Sequence, residues 1–228
     1  MCGRFSLTVT AETLAREFGC EPPERLAPRY NIAPSQPVLA IRERDVRGGR
    51  EAVLLLWGLV PSWAKDAAMG SRMINARAET LAEKPSFRAS FRHRRCVVPV
   101  TGFYEWRPGP GGKQPYHIHR LDGRPFGIAG LWEQWIGPGG EELSTCALIT
   151  CAANGFMTPI HHRMPVVLTP EEHALWLSRS VGKTSALAPL LSPREWVGFE
   201  AKPIGTYVNT PVNEGPRCLE APDGALNL

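Results

Sequence analysis

Short strand-like apolar segments bounded by glycine- and proline-rich turns recur along much of this chain, and apolar positions take a helical period in only a few places. Residues 38–43 (VLAIRE) and 52–57 (AVLLLW) read as strands, and the polar RDVRGGR between them suggests a hairpin because its glycines supply the backbone freedom of a tight turn. The same pattern predicts strands over 95–100, 102–107, 115–120, 126–132 and 143–150, separated by turns rich in glycine and proline. So many short strands imply a curved or barrel-like sheet. Leu14, Ala15 and Phe18 recur at helical spacing over 11–18, with Thr10 as cap and Gly19 as stop. Helical pattern returns over 76–83, and over 170–178, where Thr169 can cap and Pro170 can be the first helical residue. The proline-rich EPPERLAPRYNIAPSQP from Glu21 to Pro37 leaves little freedom for regular structure and reads as a connecting loop. The segment from Pro203 onward is loop-rich. With no internal repeat or low-complexity linker, the expectation is one α+β domain over 1–228: a compact unit with a barrel-like mixed sheet, peripheral helices and a loop-rich tail after about 210.

Composition narrows the function classes. The chain's 228 residues can bury a substantial core without disulfides or metals, and 43% hydrophobic with 21% charged residues is the balance of a soluble protein. No apolar run approaches the ~20 residues of a membrane span. The opening MCGRFSLTVT lacks the basic start and apolar stretch of an export signal, so the expected location is the cytoplasm, with the nucleoid as the bacterial variant. The six cysteines lack the close pairs of a zinc site and are expected to remain reduced. His117 and His119 alternate on a predicted strand and could form a metal pair, but no third ligand is apparent; neither metal nor cofactor is expected. The net charge of +4 permits contact with a polyanion without demonstrating it. Arg88, Arg92, His93, Arg94 and Arg95 form a dense basic cluster, which alone reads equally well as a solvated face.

Cys2 carries the most informative local chemistry. A small residue after the initiator Met1 favours methionine removal, which would leave a free α-amine beside a thiol. Such an amine has an ordinary pKa of ~7.7 to 8.0 and the thiol one of ~8.5, so both are available near neutral pH. Their natural target is an aldehyde: the amine forms a Schiff base and the thiol closes on the same carbon as a five-membered thiazolidine. The dipeptide by itself reads first as an ordinary small second residue.

Six motifs raise the odds together: MCGRF at the start, RYNIAP at 29–34, WGLVPSW at 57–63, INARAET at 74–80, CVVPVTGFYEW at 96–106 and IHHRMPVVL at 160–168. In this order, over residues 1 to about 210, they resemble the SRAP family, the SOS-response-associated-peptidase or abasic-site-processing proteins. The resemblance implies a single domain that senses abasic sites in single-stranded DNA and cross-links to them, shielding the lesion. It places Cys2 at the covalent nucleophile, Asn75 at the active-site asparagine that orients the amine and sugar, and Glu105 at the catalytic glutamate. The aromatic neighbours Phe103, Tyr104 and Trp106 would withdraw that carboxyl from water and suit it to shuttle protons. His161 matches the first histidine of the family's IH-x-R-x-P motif and would protonate the sugar oxygen; the adjacent His162 rivals it. Arg4, Arg77 and Arg163 match phosphate-gripping positions, and Trp63 would stack beside the lesion, although Ala64 stands where one family pattern has a second tryptophan.

Without the resemblance, Asn75 reads as a cap for the helix over 76–83, Glu105 as a solvent-facing strand carboxylate, the histidines as structural, and the arginines and Trp63 as fold-stabilising. The resemblance further implies a monomer, with cross-link reversal and β-elimination lyase activity as secondary possibilities. Two other functions remain open: a cysteine peptidase pairing Cys2 with His161 and acting mainly on its own N-terminus, and a non-covalent single-strand-binding module in which Cys2 is dispensable.

Overall fold

The segment Arg95–Val100 (RCVVPV) is buried at every position, so it must be covered on both faces. It forms one stave of a closed barrel. A computed structural model describes residues 2–44, 48–181 and 183–222. In chain order its strands are β1 (Phe5–Leu7), β2 (Arg29–Ile32), β3 (Pro37–Glu43), β4 (Arg50–Trp57), β5 (Asn75–Arg77), β6 (Arg95–Val100), β7 (Gly102–Gly109), β8 (Gly112–Arg120), β9 (Phe126–Ile136), β10 (Glu142–Ala152), β11 (Arg163–Pro165), β12 (Val167–Leu168) and β13 (Phe199–Pro203). The α-helices are α1 (Ala11–Phe18), α2 (Arg88–His93), α3 (Pro170–Leu177) and α4 (Ala188–Leu191).

Strands β4, β3, β6, β9 and β10 pair in succession, and β10 closes the ring by pairing in parallel with β4. Closure removes the unpaired edges an open sheet would expose. Strand β10 is long enough to serve two partners on each side. Past Leu148 it parts from β9, and β11 and β12 fill the gap, joined by Val166, whose N–H donates to Ile149 and whose carbonyl accepts from Ala129. On its other side β4 leaves at Gly58 and β5 takes over. Gly58 has φ 139°, and a Cβ there would lie 2.7 Å from the carbonyl oxygen of Gly70, so only glycine fits this departure. The second sheet is antiparallel, in the order β13-β8-β7-β1-β2.

The helices cover the barrel as their sequences dictate. Thr10 accepts a hydrogen bond from the Thr13 amide, and Gly19 ends α1 in the left-handed region at φ 64°, with Leu14 and Phe18 buried between them. Thr169 and Glu172 form a capping box at α3, whose Trp176 donates to the Cys96 carbonyl. All six cysteines carry free thiols, and no helix among the described residues is long and apolar enough to cross a membrane.

Three sequence expectations need correction. Residues 76–83 do not form an α-helix: Asn75–Arg77 is β5, followed by a single 3₁₀ turn over Ala78–Thr80. Pairing with β10 satisfies that backbone better than a short helix would, and Asn75 is therefore not a helix cap. Glu21–Pro37 is not loop throughout. Arg29–Ile32, free of proline, pairs with β1, and Pro37 begins β3 at a point where its missing N–H is harmless. The short strands β1, β5, β11 and β12 escape a periodicity reading because two to four residues carry no usable alternation. The predicted β3–β4 hairpin is present, but the turn expected over RDVRGGR lies partly at 45–47, outside the described residues, as does the tail from 223.

His117 and His119 stack at 4.9 Å, but they are engaged elsewhere: His117 meets Ser6 Oγ at 3.2 Å and His119 approaches Glu200 at 3.6 Å. Among the described residues no group of three His, Cys, Asp or Glu side chains is placed to hold a metal ion.

Burial holds the His117 imidazole down at about 3, aided by His119 and Lys202, and His173 down at about 4, aided by Arg50. Both lie below the ordinary ~6.5, so the unfolded chain binds these protons first as pH falls. Stability is therefore full above about pH 6.5 and is lost on acidification toward the folded values, by about 2 kcal/mol per histidine at pH 5. Denaturant melts at pH 7 and pH 5 should show this loss, and His173→Phe should remove about half of it. Equal midpoints at the two pH values would contradict the assignment.

Candidate active site

The site is built where the second sheet lies against the barrel. The β1–β7 ladder places Phe5 opposite Phe103, and the Tyr104 N–H donates to the Arg4 carbonyl. Alternation along β7 then sorts the side chains. Tyr104 and Trp106 pack against the C-terminal segment with Val208 and Cys218, while Phe103 joins the main core that also contains Cys2. Glu105, two residues from Phe103, shares that inner face and is 4% exposed. The carboxyl is therefore buried and the solvent-facing alternative does not hold, although of the three aromatic neighbours only Phe103 lies on its face of the strand, Tyr104 and Trp106 being on the other.

Cys2 is completely buried. Burial, and then the nearby Glu105 carboxylate, push its thiol far above the ordinary cysteine value. Asn75 reaches it from the barrel: along β5, Ala76 points into the core, and Asn75 lies on the opposite face with Arg77. Asn75 Nδ2 donates to the Cys2 carbonyl at 2.9 Å, and its Oδ1 is buried without a hydrogen-bond partner among the described residues.

The two histidines precede β11. His161 is half-buried, with Nδ1 held by the Arg163 backbone amide at 3.0 Å, and its ring stacks on that of His162 at 4.3 Å. His162 is exposed, and the charge of His161 holds it below the ordinary histidine value; Glu105 acts on it in the opposite direction. Glu105 therefore lies within electrostatic reach of both the thiol and His162. The fixed ring of His161 distinguishes it from its freely solvated neighbour.

The predicted DNA-contact residues divide. Arg77 and Trp63 stand in solvent, Trp63 with 56% of its surface exposed. Arg4 is 9% exposed and donates to Asn31 Oδ1 at 2.7 Å and to the Val208 carbonyl at 2.8 Å. Arg163 forms a forked pair with Glu79 at 2.5 and 2.9 Å and donates to the Thr150 carbonyl. Ala64 is buried and accepts from Trp135 Nε1, so this position supports the loop beneath Trp63 and leaves a single exposed ring.

Sequence reasoning did not single out Glu79, Asn31 or Glu214. Asn31 Nδ2 donates to the carbonyls of Val208, Thr210 and Asn213, and Glu214 accepts from the amides of Tyr30 and Asn31. These bonds strap the C-terminal segment to β2 behind the site. Asn31 and Glu79 do sit inside two of the recurring motifs, RYNIAP and INARAET, which was their available signal.

The resulting class is a closed five-stranded barrel flanked by an antiparallel sheet, with the second residue of the chain sealed at the seam beside an amide and a carboxylate. Residues 1–211 match the family described as SOS response associated peptidase (SRAP), and the chain belongs to that family. It is 41% identical over 227 residues to the abasic site processing protein YoqW of Bacillus subtilis, covering 97% of this chain and all of that one. It is 33% identical to the abasic site processing protein HMCES of Gallus gallus, covering 96% of this chain and 77% of that one. A solved structure from Bacteroides thetaiotaomicron superposes with a TM-score of 0.85 at 31% identity, covering 96% of this chain and 99% of the other.

Proposed function

We propose that this chain processes abasic sites in single-stranded DNA by forming a covalent cross-link through Cys2 after removal of Met1. One observation carries the reading: Asn75 clamps the Cys2 main chain at 2.9 Å while keeping a buried acceptor without a partner, in reach of Glu105's field. An amide so placed fixes residue 2 for attack and retains one bond to offer to the liberated amine or to the sugar. The names of the related proteins support the substrate.

The chemistry balances as a condensation. The amine nitrogen bonds to the aldehyde carbon of the ring-opened sugar, the carbonyl oxygen takes up protons and leaves as water, and an imine remains. Sulfur then bonds to the imine carbon, the C=N electron pair returns to nitrogen, and the thiol proton follows it, closing the thiazolidine. His161 protonates the sugar oxygen during ring opening, and Glu105 relays protons at the departing hydroxyl and the thiol. Arg77 and Trp63 meet phosphate and base directly, whereas Arg4 and Arg163 act by holding the walls of the site.

The state of the thiol favours this reading over a peptidase. A cysteine peptidase attacks first with a thiolate, and burial beside Glu105 disfavours that anion. In the condensation the amine attacks first and sulfur acts late, on an electrophile already in place. The test is intact-mass measurement after incubation with a single-stranded oligonucleotide bearing one abasic site. The expected species survives denaturation and weighs the processed protein plus the DNA minus one water. Peptide cleavage without any such species would overturn the proposal.

A further inference from the structure

The basic run Arg88–Arg95 forms one cluster in sequence, and the fold divides it. Arg95 is buried and donates to the carbonyls of Phe91, Arg92, Trp176 and Ser178, tying α2 to α3. Arg94 pairs with Glu133 at 2.6 Å. Arg88, Arg92 and His93 remain exposed on α2. They are joined from a distant part of the chain by exposed Arg179 and Lys183, which follow α3.

Arg92, His93, Arg179, Lys183, Thr184 and Ser185 line a concavity of about 450 Å³ with no carboxylate among its described lining residues. A second hollow, of about 330 Å³, adjoins it, sharing His93 and Arg179 and reaching Ser62, the residue before exposed Trp63. Glu133, which lines the second hollow, is engaged by Ser90 and Arg94, and Glu43 accepts from the Arg179 backbone amide. A cationic trough with hydroxyl donors thus runs from Lys183 toward Ser62, and none of Cys2, Asn75, Glu105 and His161 lines it.

We propose that this trough binds the phosphodiester backbone of the DNA strand flanking the lesion, extending the contact beyond the reacting nucleotide. Phosphate fits because a polyanion releases counterions on meeting such a row of cations, and the Thr184 and Ser185 hydroxyls can donate to its oxygens. This rests on the DNA-processing reading for its partner, and its test separates the two.

The double variant Arg92→Ala/Lys183→Ala leaves the Cys2 site and the Arg94 and Arg95 bonds intact. Its binding to unmodified single strands of about six and about thirty nucleotides is measured by fluorescence anisotropy across a salt series, with thermal melting as a folding control. On the long strand the variant should lose about 10- to 30-fold in affinity near 0.1 M salt, and the salt slope should fall by about 1.4. Its affinity for the short strand, and its yield of adduct at saturating protein on a second six-nucleotide strand that carries one abasic site, should match wild type. An unchanged long-strand affinity and slope, or equal losses on both strands, would overturn the trough. A wild type that makes no adduct while the variant still loses long-strand affinity would instead sink the cross-linking reading and leave the trough standing.

Discussion

Cys2→Ala should abolish the denaturation-resistant adduct, lowering its rate of formation by on the order of 10³-fold or more, since it removes one of the two groups that close the ring. The prediction sharpens with two companions. A form that retains Met1 keeps the thiol but buries its nitrogen in a peptide bond, and it should be as inactive as Cys2→Ala. Cys2→Ser keeps the amine and a hydroxyl of similar size. It should still form an imine that borohydride reduction traps, but little product that survives heating without reduction. Denaturing gels of the three proteins, with and without reductant, distinguish the outcomes. Equal adduct in all three would show that the reacting group lies elsewhere. Because Cys2 is fully buried in the main core, thermal melting must accompany the assay: loss of its side chain removes packing as well as chemistry.

Glu105→Gln carries the second large effect. The substitution preserves shape on a strand whose neighbours are fixed on both sides, with Glu105 opposite Tyr116 in the β7–β8 ladder. It removes the charge and the proton-accepting capacity that act on the thiol and on His162. Adduct formation should slow by about 10²- to 10⁴-fold, the usual contribution of a positioned acid or base, while affinity for intact single-stranded DNA stays within about threefold. Single-turnover rates at saturating protein read the first quantity, and anisotropy reads the second. A variant that binds poorly but reacts normally once bound would make Glu105 a structural residue.

How much of this was legible in sequence can be followed residue by residue. The strands of the barrel are apolar runs of six or more residues bounded by turn residues, and the predicted ranges for β3, β4 and β6 to β10 fall within the observed strands. Both long helices announce themselves through caps, Thr10 with Gly19 and Thr169 with Pro170. Asn75 was legible as a motif residue but illegible in conformation. Its segment has helical local pattern, and it becomes a strand only because β10 outlasts β4 and offers a free edge. Local propensity is a weak preference, and a row of ladder hydrogen bonds overrides it.

The arginines teach the complementary point. Sequence marks Arg4, Arg77 and Arg163 alike as cations beside motifs, and Arg88 to Arg95 as one cluster. Whether a guanidinium meets solvent or a carbonyl depends on segments far away: Val208 for Arg4, Glu79 and Thr150 for Arg163, Trp176 and Ser178 for Arg95. No window around the arginine contains that information.

The sequence by itself determined the family, the strand-rich character, the capped helices and the aminothiol potential of Cys2, because motifs, alternation and caps are written in neighbouring residues. Tertiary structure alone decided that the ring of strands closes, that Glu105 faces inward beside a buried thiol, and that Asn75 reaches across to the carbonyl of Cys2. It also decided which cations remain in water. Each of these depends on bringing together residues tens to hundreds of positions apart, where burial and electrostatics act through distance in space.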